Sequence, residues 1–103
     1  AIPFQLVEEK PTFRGEDSNE FSRWVNQRLE YPKNAKQNGI QGRVTLTFTV
    51  AKDGSVKDVE VLKSANEYLD QEAVRVVSAS PKWTPGRIDG QPVAVKYTFS
   101  VIF

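Results

Sequence analysis

From residue 42 onward, apolar and polar positions alternate one for one. Val44, Leu46, Phe48 and Val50 share one side, and Thr45, Thr47 and Thr49 share the other. That is the period of a half-buried strand over residues 42–51. Asp53-Gly54 follows as a tight-turn pair, because Gly tolerates positive φ. The chain returns over residues 55–63 through Val56, Val59 and Val61. Val56 is out of phase with the other two, which predicts a bulge or a longer loop there. A longer alternation closes the chain: Val93, Val95, Tyr97, Phe99, Val101 and Phe103, with Ala94, Lys96, Thr98, Ser100 and Ile102 between them. It reads as one strand of about 12 residues, roughly 40 Å long at ~3.3 Å per residue.

Helical spacing appears twice. Phe21, Trp24, Val25 and Leu29 predict an amphipathic helix over residues 18–29, with Asp17 and Glu20 as a capping box. Pro32 ends it and is placed as the first residue of a short helix over 32–38. Gly39 caps that helix in the left-handed region, with Ile40 behind it. Leu69, Ala73, Val76 and Val77 predict a further helix over 66–80, closed by Pro81. Asp70 and Glu72 fall in its early part, where acids complement the helix dipole. Trp83-Thr84-Pro85-Gly86 and Asp89-Gly90-Gln91 read as turns, and residues 8–16 as an irregular connection. Ile2, Phe4 and Leu6 alternate around Pro3, a short strand that Pro3 restricts to a sheet edge.

Strands that are apolar on one face and polar on the other make an antiparallel sheet with one covered face. Two amphipathic helices are available to cover it. The expected fold is α+β: a two-layer sandwich with two helices on one face of a three-stranded antiparallel sheet. The third main strand arrives through a helix, so placing it beside strand 42–51 keeps every pairing antiparallel. The order of the main strands is then 2-1-3, with the last at an edge. Residues 1–16 are read as an N-terminal extension and 17–103 as the domain.

Composition narrows the chemistry. With 39% hydrophobic and 26% charged residues, the chain is a folded domain rather than a disordered tail. Lys and Arg number 14 against 13 Asp and Glu, a net charge of +1, so the basic excess of a nucleic-acid binder is missing. His and Cys are absent, which excludes the usual zinc, haem and iron–sulfur sites and thiol or Ser-His-Asp nucleophiles. Asp53, Asp58 and Glu60 read as turn and solvated charges rather than metal ligands. Asp70 and Glu72 point about 200° apart on a helix, so they form no acid/base pair. Gly86-x-x-x-Gly90 lacks the Lys-Ser/Thr sequel of a phosphate loop. No metal, cofactor or enzymatic activity is expected, and no run of 18 apolar residues is present to span a membrane as a helix.

The last strand leaves backbone N–H and C=O groups unpaired along an edge, which invites strand addition. Lys96 and Pro92 are its only protective residues. A symmetric homodimer or an N-terminal strand over residues 2–7 could cover it.

An ordered series of residues is similar to a known family. Tyr31-Pro32, Ala35, Gly39-Ile40, Gly42-x-Val44, Phe48-x-Val50, Asp53-Gly54-x-Val56 and Val59-x-Val61 begin it. Ser64, Leu69-Asp70-x-Glu72-Ala73-x-Arg75, Pro81-x-Trp83-x-Pro85, Gly90-x-Pro92-Val93 and Tyr97 complete it. Over residues 29–103 the chain resembles the C-terminal domain of TonB energy transducers, and Glu8 to Gly15 resemble a segment preceding it in Bacteroidetes-type members. Two departures stand out. Arg14 and Glu16 occupy positions where those members often have Pro and Gly. Ser100 occupies one where many have Pro, and it restores an N–H donor on the edge strand.

The resemblance implies a periplasmic domain tethered to the cytoplasmic membrane by an anchor outside this segment. That outside part would work with ExbB and ExbD. The domain would bind the TonB box of an outer-membrane receptor and transmit force for transport. Strand addition along the backbone of Val93, Val95, Lys96, Tyr97, Thr98, Ser100 and Val101 is the expected mode. Tyr31-Pro32 matches a family segment near the receptor contact, with Arg28 and Glu30 beside it. Tyr31-Pro32 also reads as a helix stop with a packed ring, and Trp24 and Trp83 read as core. The alternatives are a periplasmic interaction domain carried by a sensor- or metalloprotease-type membrane protein, and a small enzyme using Tyr and carboxylates.

Overall fold

A computed structural model describes residues 1–16 and 18–103. Asp17, the expected cap of the first helix, lies outside the described residues. In chain order the elements are β1 (Ile2–Pro3), α1 (Ser18–Arg28), α2 (Lys33–Gln37), β2 (Arg43–Val50) and β3 (Val56–Lys63). α3 (Glu67–Ser78), β4 (Gly86–Ile88), β5 (Gln91–Val93) and β6 (Val95–Ile102) follow. Phe4–Leu6 forms a single 3₁₀ turn directly after β1.

The main sheet runs β1-β6-β2-β3. Its three long strands are antiparallel neighbours in the expected order. β2 and β6 pair from Arg43↔Ile102 to Val50↔Val95 without a shift. The short edge strand expected around Pro3 is present but limited to Ile2–Pro3: β1 pairs with β6 in parallel, Ile2↔Val95 and Pro3↔Lys96, so the sheet has four strands. Two features differ from expectation. The expected 12-residue strand is broken at Ala94. Val93 belongs instead to a separate two-stranded sheet, β4-β5, where it pairs with Gly86. That hairpin turns on Asp89 and Gly90, both at positive φ (51° and 75°), the geometry that matches strand twist. Alternation runs straight through residues 93–103 because both strands share the same period, so the pattern carries no mark of the break. Finally, α2 makes a third helix beside α1 and α3.

Pro32 precedes α2 as its cap (ψ 133°) instead of being its first residue, and its carbonyl accepts from Lys36 N–H. At the other end Gly39 N–H donates to Lys36 O and Ile40 N–H to Ala35 O, with Gly39 at φ 65°. That is a Schellman cap, as the sequence predicts. Asn66 caps α3 by accepting from Tyr68 N–H.

The bulge expected near Val56 sits at Asp58. β3 spends one extra residue between Thr49↔Lys57 and Thr47↔Glu60, and Asp58 takes φ 53°. This returns Val59 to the core side beside Val56.

Val44, Leu46, Phe48 and Val50 are fully buried under the helices. Thr47 and Thr49, expected on a wet face, are buried as well. They lie on the central strand, opposite Glu60 and Lys57 on one side and Thr98 and Lys96 on the other. The long neighbouring side chains shade them.

Phe21 on α1 meets Phe13, Trp24, Phe48, Trp83 and Phe99 within 6.0 Å between ring centroids. Trp83 is a core plug, 3% exposed, with its indole N–H on Ser80 Oγ. Its backbone N–H donates to Gly54 O, and a Cβ at Gly54 would come within 1.9 Å of Trp83 O. Gly54 is therefore required by close approach as well as by its φ of 88°.

Candidate peptide-binding edge

Along a strand, each residue's N–H and C=O point to one side, and successive residues alternate. Two bonds fix the parity of β6. Ala94 O accepts from Ile2 N–H at 3.0 Å on the outer side. Phe103 N–H donates to Gly42 O at 2.9 Å on the β2 side. Val95, Tyr97, Phe99 and Val101 therefore direct their backbone groups to β2. Lys96, Thr98, Ser100 and Ile102 direct theirs outward. β1 lies alongside Ala94 to Lys96 only. Among the described residues no strand flanks Thr98, Ser100 and Ile102. Their N–H and C=O groups form a regular free edge, with room for a peptide of about five residues at ~3.3 Å each.

Side chains divide along the same strand. Val95, Phe99 and Val101 are buried against the core, and Lys96, Thr98, Ser100 and Ile102 are exposed. Ser100 Oγ lies 3.1 Å from Thr45 Oγ1 across the sheet. The N–H that Ser100 has and Pro would lack is on the outward side.

At the C-terminal end of β6 the structure adds a second group of the expected residues. The Tyr31 ring stands edge-on to Phe103, 5.6 Å between centroids. Its hydroxyl donates to Ile40 O. Tyr31 is thus packed, as the helix-stop reading expects, and 37% of it remains exposed. Pro32 follows it into α2.

The joint between α1 and α2 is pinned from α3. Glu72 is buried, and its Oε2 accepts the backbone N–H of Glu30 at 2.7 Å. Arg75 grips both carboxylate oxygens, Nε to Oε1 at 2.7 Å and Nη2 to Oε2 at 2.8 Å. Burial pushes the Glu72 pKa up, but the Arg75 guanidinium and the Glu30 N–H outweigh it and hold the carboxyl below its ordinary value. The same hydrogen bonds raise Arg75. A chain of contacts therefore runs from α3 through Glu72, Glu30 and Tyr31 to Phe103.

Two adjoining grooves flank this joint. One of about 370 Å³ lies among Trp24, Arg28, Leu29, Glu30 and Arg75. The other, about 420 Å³, lies among Glu30, Tyr31, Pro32, Tyr68 and Glu72. The Arg28 guanidinium is stacked 4.6 Å from the Trp24 ring centroid.

Of the expected residues, Thr98 and Ser100 lie on the free part of the edge, and Tyr31 reaches the end of β6 only through Phe103. Val93 is drawn off into the β4-β5 hairpin, and Val95 and Lys96 are flanked by β1. Glu72 was not among the expected residues, although Glu72-x-x-Arg75 is a readable i,i+3 ion pair on a helix.

A family model described as the Gram-negative bacterial TonB protein C-terminal matches residues 27–103. Protein TonB of Pseudomonas aeruginosa is 32% identical over 73 residues, 71% of this chain and 21% of that protein. Protein TonB of Helicobacter pylori strain J99 is 34% identical over 62 residues, 59% of this chain and 22% of that protein. The chain thus spans about a fifth of the length of these relatives. The solution structure of the P. aeruginosa TonB C-terminal domain is 31% identical with a TM-score of 0.58, covering 74% of this chain and 80% of that one. A solution structure of the H. pylori TonB C-terminal domain shares the fold at a TM-score of 0.63 and 24% identity, covering 82% and 89%.

Proposed function

The chain belongs to the TonB C-terminal domain family, and from that premise we propose that it grips an extended receptor segment by strand addition to β6. The partner is the TonB box of an outer-membrane receptor, and the domain passes on force for active transport. In the full-length protein it works in the periplasm, tethered to the cytoplasmic membrane, with ExbB and ExbD engaged by the part outside this segment. The observation that carries the reading is the free, unbulged edge at Thr98, Ser100 and Ile102, with Tyr31 packed on Phe103 just past its end. Main-chain bonds there supply affinity, and the flanking side chains supply selectivity. No catalytic side chain is needed for this, in keeping with a family of transport energy transducers.

The test is an NMR titration with synthetic peptides copied from the N-terminal segments of outer-membrane receptor plugs of the same organism. The expected result is amide shifts on Thr98, Ser100 and Ile102, with smaller ones at Tyr31 and Phe103. Shifts confined to other surfaces, or none with any such peptide, would overturn the reading.

A further inference from the structure

Resting on that reading, we propose that residues 1–6 are a displaceable strap that competes with the incoming peptide for the first half of the β6 edge. Ile2 N–H donates to Ala94 O, and Ile2–Pro3 lies parallel to Val95–Lys96. The strap therefore fills backbone positions that a longer added strand would use. It then leaves the edge. Phe4–Leu6 coils into a 3₁₀ turn, with the Phe4 ring 4.7 Å from that of Tyr97. Lys10 Nζ lies 5.7 Å from the same Phe4 ring.

How firmly the chain is held changes sharply at Val7. Before it, Ile2 and Phe4 are only half-buried and Leu6 is 74% exposed. From it onward the chain is fixed. Val7 is 3% exposed, Glu9 and Arg87 exchange two backbone hydrogen bonds, and so do Thr12 and Thr84. Phe13 is fully buried among Phe21, Trp24 and Trp83. Residues 1–6 can thus detach at a hinge without disturbing the core.

A strap of two paired residues makes fewer main-chain bonds than a peptide spanning Ala94 to Ile102. Such a peptide displaces it, whereas a five-residue peptide is served by Thr98 to Ile102 alone and does not. The strap therefore sets a length threshold: it costs long peptides part of their affinity and leaves short ones unaffected.

Ile2→Pro removes the donor to Ala94, and Phe4→Ala removes the ring on Tyr97; both leave Val7 onward intact. The peptides of the titration above are used in five- and nine-residue forms. The expected result is about five- to tenfold tighter binding of the nine-residue peptide by each variant, the scale of one or two hydrogen bonds. The five-residue peptide should bind equally to all three proteins, and in the wild type the nine-residue peptide should shift Ile2 and Phe4. Equal binding of the long peptide by all three proteins, with shifts confined to 98–102, would overturn the strap and leave the function standing. If no peptide binds, hydrogen exchange still decides. The Lys96 amide should exchange faster in Ile2→Pro than in the wild type, and equal exchange refutes the strap.

Discussion

On one side of the sheet β3 faces solvent, and on the other β6 does so beyond its two-residue cover. The two strands have the same length and are built in opposite ways. β3 breaks register with β2 twice, between Thr45 and Leu46 and between Thr47 and Thr49. It carries Asp58 at positive φ and exposes Lys57, Asp58, Glu60 and Lys63. Bulges and charges of this kind discourage pairing with another chain. β6 holds register with β2 over eight residues and presents Thr98, Ser100 and Ile102 on its outward side. One edge is blunted and the other kept regular. Strand geometry therefore favours β6 over β3 as the edge open to a further strand.

The strongest challenge to this contrast is a pair of prolines one residue apart on β6. Val101→Pro removes an N–H directed to β2 together with a buried side chain, and should cost about 3 kcal/mol or more. Ser100→Pro removes an outward N–H and should change stability by less than ~1 kcal/mol. Urea unfolding of both variants checks the parity; equal losses would refute it.

Next in size is the pinned corner at the far end of the same edge. Glu72→Ala leaves the Glu30 N–H without its acceptor and should cost roughly 2 kcal/mol. Because the folded state lowers the Glu72 pKa, its contribution is full above the ordinary carboxylate range and is lost as pH falls through the lowered value. Glu72→Gln should therefore flatten the acid limb of the stability profile, measured by unfolding at a series of pH values. An unchanged limb would mean that the carboxylate charge is not what secures the corner.

Ser100→Pro has a binding consequence too. Loss of one outward donor should weaken receptor-peptide binding about tenfold by calorimetry, whereas the same substitution at Val61 on β3, opposite Leu46 and with its N–H outward, should leave binding unchanged. The smallest effect belongs to the blunted edge itself. Asp58→Gly relieves a left-handed residue at the cost of backbone entropy, a net gain of roughly 0.5 kcal/mol, read as a small rise in denaturant midpoint.

Much of this was legible from local periods. The alternation of Val44 to Val50, the spacing of Phe21 to Leu29 and of Leu69 to Val77, and the Gly39 cap each depend on neighbours close in sequence. The order of the long strands followed from keeping pairings antiparallel. What escaped depends on distant partners. Phe13 sits in an aperiodic stretch, and its burial follows from Thr12 pairing with Thr84. Val93 keeps the rhythm of β6 while belonging to another sheet, because alternation marks the face and not the partner. The meeting of Tyr31 with Phe103 spans most of the chain, so no local window could contain it.

The uninterrupted β2–β6 ladder also sets an order of rupture. A receptor strand added at Thr98 to Ile102, as proposed above, would draw on part of β6's outer side, while β6 itself is fastened to β2 along its whole length. Under tension along the strand, the shorter seam parts first. On the proposed function, the domain would then act as a mechanical fuse: the load would be released before the protein unravels.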